Sequence, residues 1–429
     1  MKKLFLSLCF CFLLFNLYAQ SNYGVRFSSL LSDNLTLESA IRLGLENNSQ
    51  FLTAQQDITI AEQRLSEAKL RYLPQFAVEG TASWYKSDSA MLLPETGINR
   101  LLPASKDIDG SNFYGVGVTA TQYLYSGGRI NGTLKLARTN LKQAQSRYEA
   151  VKNAVVLDIK TTFTRLLYAQ ENVALTENLW KSVEKWHLSQ DGWVRVRQLS
   201  LLAQLKAAAH EAQNELVEAR LAMLVSLNKE TNAPLTISGT LEPVQVQGDL
   251  PHFQLWATEF RPELKSAIYA LELDSIAIDL ALSKRYPDIL VNASYERVGD
   301  SDLGDENKQV SLAVRLPLPY TFSQQITQKK AEQKKSTLRR AAIEDEIHIQ
   351  VAQSYGQMAF WQQETQQRQE TYQLLTDLVE QNLKNTPKYG VSALEALHNY
   401  LQTAQSYLQA LRENHTAKAR LEWAIGKDL

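Results

Sequence analysis

The longest regular pattern of apolar positions in the chain lies between Thr133 and Asp191. This stretch contains neither glycine nor proline, the residues that most readily end a helix. Its apolar or small residues recur at steps of three and four, which predicts one long helix with a single apolar stripe. Such a helix would be roughly 90 Å long, more than twice the diameter of an ordinary domain. The stripe consists of Leu134, Ala137, Leu141, Ala144, Tyr148, Val151, Val155, Ile159, Thr162, Leu166, Ala169, Val173, Thr176, Trp180, Val183 and Trp186.

Two stretches before this helix alternate with a period of two, which predicts β-strands. Polar residues occupy one face of each strand, and apolar residues occupy the other. Residues 86 to 112, rich in Ser, Asp, Gly and Pro, are predicted to form a long loop between the strands. The apolar face carries Phe76, Val78, Ala82 and Trp84 in the first strand and Val116, Val118 and Ala120 in the second.

The same order of helix, hairpin and long helix recurs in the second half. Pro262-Glu263-Leu264 corresponds to Ser49-Gln50-Phe51, and Tyr286-Pro287-Asp288 to Leu73-Pro74-Gln75, both at an offset of 213 residues. Matches that also preserve the apolar face of each strand indicate an internal duplication. At an offset of 194, Val116, Val118 and Ala120 correspond to Val310, Leu312 and Val314.

These patterns divide the chain into four segments. Residues 1–19 are predicted to be a signal peptide, and 229–255, rich in proline and glycine, a linker or equatorial region. The first structural repeat is 20–228, with helices, a β-hairpin at about 75–124, a long helix at about 127–190 and a helix at 194–228. The second repeat is 256–429, with helices, a β-hairpin at about 287–318, a long helix at about 323–385 and a helix at 392–425.

The N-terminal segment has the charged, apolar and small-residue order of a secretory signal. Lys2-Lys3 precedes the apolar run from Leu4 to Leu17, and we expect cleavage after Ala19. An apolar core of about fourteen residues is short for a membrane anchor. Because Cys9 and Cys11 both lie in this segment, we expect no disulfide, no thiolate metal site and no lipid anchor in the exported protein.

Composition argues against several classes of function. Without Lys2 and Lys3, 43 basic residues stand against 46 acidic ones, a formal net charge of −3, which gives no indication of nucleic-acid binding. The six histidines lack metal-ligand spacing, and neither a nucleophile elbow nor a phosphate loop occurs. We therefore expect no catalysis, no cofactor and no metal, and any transport would be driven by a partner.

The predicted strands have the length and the terminal aromatic residues of a membrane β-barrel. Half-buried hairpins of soluble sheets alternate in the same way, so the strands alone leave both interpretations open. Four strands cannot close a barrel, whereas two chains would supply eight strands and three would supply twelve. The two predicted long helices must bury their apolar stripes against other helices, either in a bundle or in a hollow tube.

Four short motifs recur in one known family. They are Leu35-Thr36-Leu37-Glu38-Ser39-Ala40 through Asn47-Asn48, Leu73-Pro74-Gln75, Tyr125-Ser126-Gly127-Gly128-Arg129 and Leu421-Glu422-Trp423-Ala424-Ile425-Gly426. On these motifs the chain resembles the outer membrane efflux proteins of the TolC type. The resemblance implies a mixed, mainly α fold in which a long antiparallel α-helical barrel continues a transmembrane β-barrel. Each chain would contribute four strands, and three internally duplicated chains would form a homotrimer.

A function and a location follow from this resemblance. The trimer would lie in the lipid of the outer membrane of a Gram-negative bacterium and extend into the periplasm. It would be a passive exit channel for efflux or type I secretion, opened at its periplasmic tip by an adaptor protein and an inner-membrane RND or ABC transporter. The alternative is a periplasmic coiled-coil scaffold or adaptor without a pore. A secreted enzyme is disfavoured because the sequence supplies no convergent reactive groups.

In this family the tip turn carries a glycine, then Ser or Thr, then an acid before an apolar pair. The second repeat keeps this order, whereas in the first repeat Gln198 lies near the glycine position and Ala203 replaces the acid. An exposed acid near a helix start is also common without any partner. The predicted adaptor contacts are Ser200, Gly390, Ser392 and Glu395.

Cations near the two tip turns are candidates for a gate. A ring of like charges in a narrow pore selects its cargo by electrostatics. The alternative is a solvated helix end, where cations offset the helix dipole. The gate candidates are Arg195, Arg197, Lys384, Lys388 and Tyr389.

Overall fold

The computed structural model describes residues 34–84, 112–299, 303–317, 320–385 and 390–429. The signal peptide predicted at 1–19 and nearly all of the loop predicted at 86–112 lie outside these ranges. Residues 20–33 lie outside them as well.

The element order repeats, as the sequence predicts. The first half forms α1 (Leu37–Asn47), α2 (Ser49–Leu70), β1 (Gln75–Trp84), β2 (Asn112–Ser126), α3 (Arg129–Val183) and α4 (Gly192–Ser226). The second half forms α5 (Leu250–Phe260), α6 (Pro262–Ser283), β3 (Asp288–Gly299), β4 (Asp305–Arg315), α7 (Phe322–Asn385) and α8 (Val391–Ile425).

Two of these helices, α3 and α7, are rods of 55 and 64 residues. At about 1.5 Å per residue they are about 80 and about 95 Å long. Within the described ranges, none of the helices combines the length and the apolar character needed to cross a membrane.

Some predicted bounds are wrong. The first long helix ends at Val183 rather than near 190, because Ser189 and Asp191 accept hydrogen bonds from backbone N–H groups and begin a new helix at Gly192. The linker predicted at 229–255 contains the start of α5, with Pro251 in its first turn. A proline is compatible with that position, so it does not mark a break there.

The single apolar stripe predicted for the long helix covers only part of the surface that α3 buries. Helices α1, α2, α4, α6 and α8 all pack against α3. A rod in the middle of a layer has neighbours on both sides, so it buries residues outside one stripe. The stripe members Val155, Ile159, Leu166, Ala169 and Val183 are buried, and so are Phe163, Leu167, Tyr168 and Asn172 outside it.

The four strands form one antiparallel sheet in the order β1-β2-β3-β4. Val78 pairs with Val118, Val118 with Tyr295, and Tyr295 with Lys308. Two glycines then turn β2 into α3, with φ of 60° at Gly127 and 83° at Gly128, in the left-handed region that favours glycine.

The rods form a layer that continues the sheet. Near the sheet they lie in the order α2, α3, α6, α7, and towards the opposite end in the order α4, α3, α8, α7. Since α2 leads into β1 and β4 leads into α7, the free edges of the sheet and of the layer coincide. One side of the molecule therefore carries β1, α2 and α4, and the other carries β4 and α7.

The core consists of three separate clusters of buried residues. One, around Ile159, Phe163 and Met223, packs α1 and the 235–241 segment against α3 and α4. Another, around Phe253, Val351 and Leu421, packs α5 against α7 and α8. The third lies at the end of the rods opposite the sheet and positions the candidate site.

Candidate functional site at the tip opposite the sheet

The helical hairpins α3–α4 and α7–α8 turn at the end of the molecule opposite the sheet, and a buried cluster joins the two turns into one tip. Burying each such side chain contributes about 1.5–3 kcal/mol. The second hairpin repeats the first at an offset of 192 residues, since Leu397 corresponds to Leu205 and Leu401 to Ala209. The cluster consists of Val183, Leu201 and Leu205 from the first hairpin and Leu394, Leu397 and Leu401 from the second.

The first turn is held by Gln198, a polar side chain of which only 2% is exposed. Its Oε1 accepts a hydrogen bond from the backbone N–H of Ser189 at 2.7 Å, which fixes the 184–191 segment against α4. Gln198 lies three residues before Leu201 and corresponds to Gly390. The sequence analysis treated it only as a departure from the family pattern, although its place on the buried stripe was a usable signal.

An ion pair connects the two hairpins on the surface of the tip. Arg197, in the second turn of α4, donates to Glu395, in the second turn of α8, with its Nε 3.0 Å from Oε1. The terminal NH2 nitrogen is 2.9 Å from the same oxygen. The structure thus brings together a residue predicted for the gate and a residue predicted for adaptor contact. A partly exposed pair of this kind contributes about 0.2–1 kcal/mol.

The other predicted adaptor residues flank this ion pair. Gly390 is the N-cap of α8, with its carbonyl accepting from the N–H groups of Ala393 and Leu394. Ser392 and Ser200 are exposed near the starts of their helices. These positions leave both hydroxyls accessible to a partner.

The remaining gate candidates are only partly described. Arg195 is exposed in the first turn of α4. Lys384 belongs to the last turn of α7, but its side chain lies outside the described structure, as do Lys388 and Tyr389 entirely. The predicted meeting of these cations across the two turns therefore stays a prediction.

The first turns of α4 also expose three large apolar residues. Trp193 is 85% exposed, and Val196 and Leu199 follow at steps of three on one side of the helix. When the two repeats are aligned at an offset of 192 residues, α4 starts seven residues before the position at which α8 starts. The second helix of the first hairpin therefore extends farther towards the tip than the second helix of the second hairpin.

The seam between the rods above the tip is polar. Gln405 donates to Oδ1 of the buried Asn172 at 3.1 Å, and Gln213 donates to Glu177 at 3.0 Å. Hydrogen bonds from Gln213 and Lys181 lower the pKa of Glu177. Burial together with the Tyr400 hydroxyl raises the pKa of Tyr372 to about 12, so this tyrosine stays neutral at physiological pH.

The second surface of interest is the sheet, whose two faces differ sharply. On one face Phe76, Val78, Val310, Leu312 and Val314 are each more than 60% exposed. The other face carries Glu79, Thr119, Thr121 and Asn292. The sheet therefore exposes an apolar face opposite a polar one.

Nothing in the described part of the chain suggests a reactive centre. Within those ranges no three His, Asp, Glu or Cys side chains stand close enough to hold a metal ion. The tip instead offers a surface with exposed charged and apolar side chains at the turns of the two helical hairpins.

Comparison with known proteins places the chain among relatives. Residues 40–229 match the sequence profile of the outer membrane efflux protein family. No curated protein sequence matches the chain.

Among solved structures, the chain resembles the transmembrane channel protein CusC with a TM-score of 0.73 and 16% identity, over 94% of this chain and 96% of that one. It resembles the open state of the MtrE outer membrane channel of Neisseria gonorrhoeae with a TM-score of 0.74 and 17% identity, over 91% and 89%. The CmeC outer membrane channel of Campylobacter jejuni gives a TM-score of 0.68 and 15% identity, over 91% and 85%. The resemblance to the TolC-type family that the sequence predicts is confirmed, and so is the mainly helical fold.

Proposed function

We propose that this chain, whose residues 40–229 match the outer membrane efflux protein family, is one subunit of an outer membrane exit channel. The channel would serve a tripartite efflux or type I secretion system. One observation carries the proposal: a four-stranded sheet with an exposed apolar face continues directly into rods of about 80 Å and more. A sheet of this kind fits a membrane, and rods of this length fit the crossing of a periplasm.

We propose a homotrimer because the free edges of one chain require a partner. Both β1 and β4 are edge strands with unpaired backbone groups, which pairing of β4 with β1 of the next copy would satisfy. Three copies would supply twelve strands, wide enough to leave a channel. The helices at the two free edges of the layer, α7 and α4, also expose rows of apolar residues that could pack against each other in neighbouring copies. Leu338, Ile349 and Phe360 are exposed at intervals of eleven residues on α7, and Val217, Leu221 and Val225 are exposed on α4.

The proposed location is the outer membrane of a Gram-negative bacterium. The apolar face of the sheet would contact outer membrane lipid, and the rods would extend into the periplasm. Export would depend on the signal peptide predicted at residues 1–19.

The tip is the proposed gate and docking site. Ser200, Gly390, Ser392 and Glu395 would contact a periplasmic adaptor protein, and an inner-membrane RND or ABC transporter would supply the energy for export. Arg195 and Arg197, with Lys384, Lys388 and Tyr389, would line the closed constriction. Because Arg197 pairs with Glu395, an adaptor that engages Glu395 would also release a gate residue.

We propose that the chain itself catalyses no reaction and needs no cofactor, because a passive duct leaves the energy-consuming step to its partners. The alternative of a periplasmic scaffold without a pore is less well supported. It leaves the exposed apolar face of the sheet without a function, and the structures that resemble the chain are outer membrane channels.

Membrane extraction and electrical recording together test the proposal. The native protein is expected in the outer membrane fraction, to resist carbonate washing, to be extracted by detergent as an oligomer and to form pores in planar bilayers. A protein that carbonate releases, and that stays monomeric without conductance, would establish the scaffold instead.

A further inference from the structure

The apolar face of the sheet ends in a small group of charged and aromatic residues, here named the distal patch: Tyr295, Arg297, Glu306 and Lys308. All four lie in the β3–β4 hairpin, close to the end of the sheet that is farthest from the helices. In the proposed channel this end faces the outside of the cell. In the described part of the β1–β2 hairpin, Val78 and Val118 occupy the row of Tyr295 and Lys308, and Gly80 and Val116 occupy the row of Arg297 and Glu306.

The pairing register places the distal patch on the apolar face rather than on the polar one. Val118 pairs with Tyr295, which pairs with Lys308, and Val116 pairs with Arg297, which pairs with Glu306. Directly paired residues share a face, so the patch continues the face formed by Val78 and Val118.

The depth of the distal patch corresponds to the outer boundary of a membrane. Ile289 and Arg297 are separated by eight residues, or about 26 Å along a strand at about 3.3 Å per residue. With a strand tilt of about 40°, this becomes about 20 Å of depth, close to the height of the apolar band of such barrels. In the proposed channel, the row of Arg297 and Glu306 therefore lies close to the level where acyl chains give way to headgroups, and the row of Tyr295 and Lys308 lies about 5 Å deeper.

The distal patch carries one net positive charge that is held in a defined geometry. Glu306 accepts from Arg297 at 2.6 Å and from the Tyr295 hydroxyl at 3.1 Å, and its other oxygen is 3.4 Å from the Lys308 ammonium. Arg297 and Lys308 have side chains that are 52% and 72% exposed. One carboxylate thus positions two cations whose outer sides remain accessible.

The acids in the neighbouring rows lie on the opposite face. Glu79 and Glu296 share one row across Gly117, on the polar side of the sheet. At this end of the sheet, the lipid-facing side of the proposed barrel therefore carries net positive charge, and the opposite side carries net negative charge. An anion on the lipid side would meet the cations without facing these two carboxylates.

We propose that the distal patch binds the phosphate group of an outer-leaflet glycolipid, with Lys308 and Arg297 as the cationic contacts and Tyr295 against the sugar or the upper acyl chain. The inference rests on the proposed function, since it requires the sheet to lie in an outer membrane. A phosphate suits the site because an arginine offers paired N–H donors and a lysine adds a point charge. Each cation near a membrane surface changes affinity for anionic lipid about fivefold.

Lipid retention by the detergent-extracted oligomer tests the proposal. Diphosphorylated lipid A, chemically dephosphorylated lipid A and phosphatidylethanolamine are the probes, and bound lipid is measured by native mass spectrometry. The wild type should prefer the phosphorylated lipid. The double variant Arg297→Gln/Lys308→Gln should bind it at least about tenfold more weakly. The matched control Arg315→Gln, at the helix end of β4, should bind as the wild type does.

A second variant keeps the proposal falsifiable if the double variant does not assemble. Glu306→Gln raises the local charge and should strengthen retention of the phosphorylated lipid about fivefold. Equal retention of phosphorylated and dephosphorylated lipid by the wild type, or unchanged retention in the oligomeric double variant, would overturn the lipid site and leave the channel proposal intact. A wild type that never reaches the outer membrane would instead refute the channel itself.

Discussion

The carboxylate of Glu395 lies 2.9 Å from the guanidinium of Arg197, and this pair joins the second turns of α4 and α8. The two residues come from different structural repeats and are 198 positions apart in the chain. Their contact connects the two helical hairpins at the surface of the tip, directly above the buried leucine cluster. Any movement that separates the hairpins must break it.

Charge reversal at this pair should open the tip. The variant Arg197→Glu places two carboxylates together. The loss of about 0.2–1 kcal/mol per chain should raise the ratio of open to closed channels in planar bilayers about threefold or more in a trimer whose three chains open together. The double variant Arg197→Glu/Glu395→Arg restores the opposite charges and should close the channel again. If the double variant conducts like the single one, the pair does not hold the tip closed.

Removing the Gln198 amide should loosen the first turn. Gln198→Ala leaves the Ser189 N–H without its acceptor and should reduce the free energy of local opening by about 1–3 kcal/mol. Hydrogen exchange of residues 184–191 measures this directly. Gln204→Ala, an exposed amide on the same helix, is the matched control and should leave that exchange unchanged.

Stability should fall on mild acidification because of His415. Its Nε2 lies 2.7 Å from the carbonyl oxygen of Glu242, and burial lowers the pKa of His415. The unfolded chain therefore binds more protons at His415 than the folded chain does. The stabilising contribution of His415 is present above the pKa of the unfolded chain, about 6.5, and is lost as the pH falls below that value.

The variant His415→Gln tests this pH dependence. It should reduce the drop in melting temperature between pH 7.5 and pH 5, whereas the exposed control His210→Gln should not. An equal drop in the wild type and in His415→Gln would assign the pH sensitivity to other groups.

The buried Arg261 should be the most sensitive charged residue of the second repeat. It pairs with Glu263 at 2.9 Å and donates to the backbone carbonyls of Trp423 and Ala424 at the end of α8. Arg261→Ala removes these hydrogen bonds and leaves Glu263 without its cation, so it should cost about 3–5 kcal/mol of unfolding free energy in chemical denaturation. Arg64→Ala, on the exposed side of α2, should change it by less than about 0.5 kcal/mol.

The fold was largely predictable because long apolar periods and strand alternation are local signals. Val78 and Val310 were placed on the correct face of the sheet by alternation alone. The end of α3 was missed because two short polar side chains, Ser189 and Asp191, outweigh an apolar spacing that continues to Trp186. The sequence carried no comparable signal for α5, whose first turn contains a proline.

The candidate site was less predictable because it depends on contacts between distant parts of the chain. Arg197 and Glu395 were each identified, but nothing local indicated that they pair. Gln198 was noted only as an exception, since a polar residue on a buried stripe becomes understandable when its backbone partner is known. The distal patch was not identified at all, because only the strand register shows that Tyr295 and Arg297 of β3 lie beside Lys308 and Glu306 of β4.

The most direct test of the central proposal is electron microscopy of the detergent-extracted particle. Three copies that join β4 to β1 and enclose a space between their rods should give a three-fold symmetric ring with a continuous lumen through sheet and rods. A solid helical bundle, or a particle with the mass of one chain, would contradict the proposal that this protein is an exit channel.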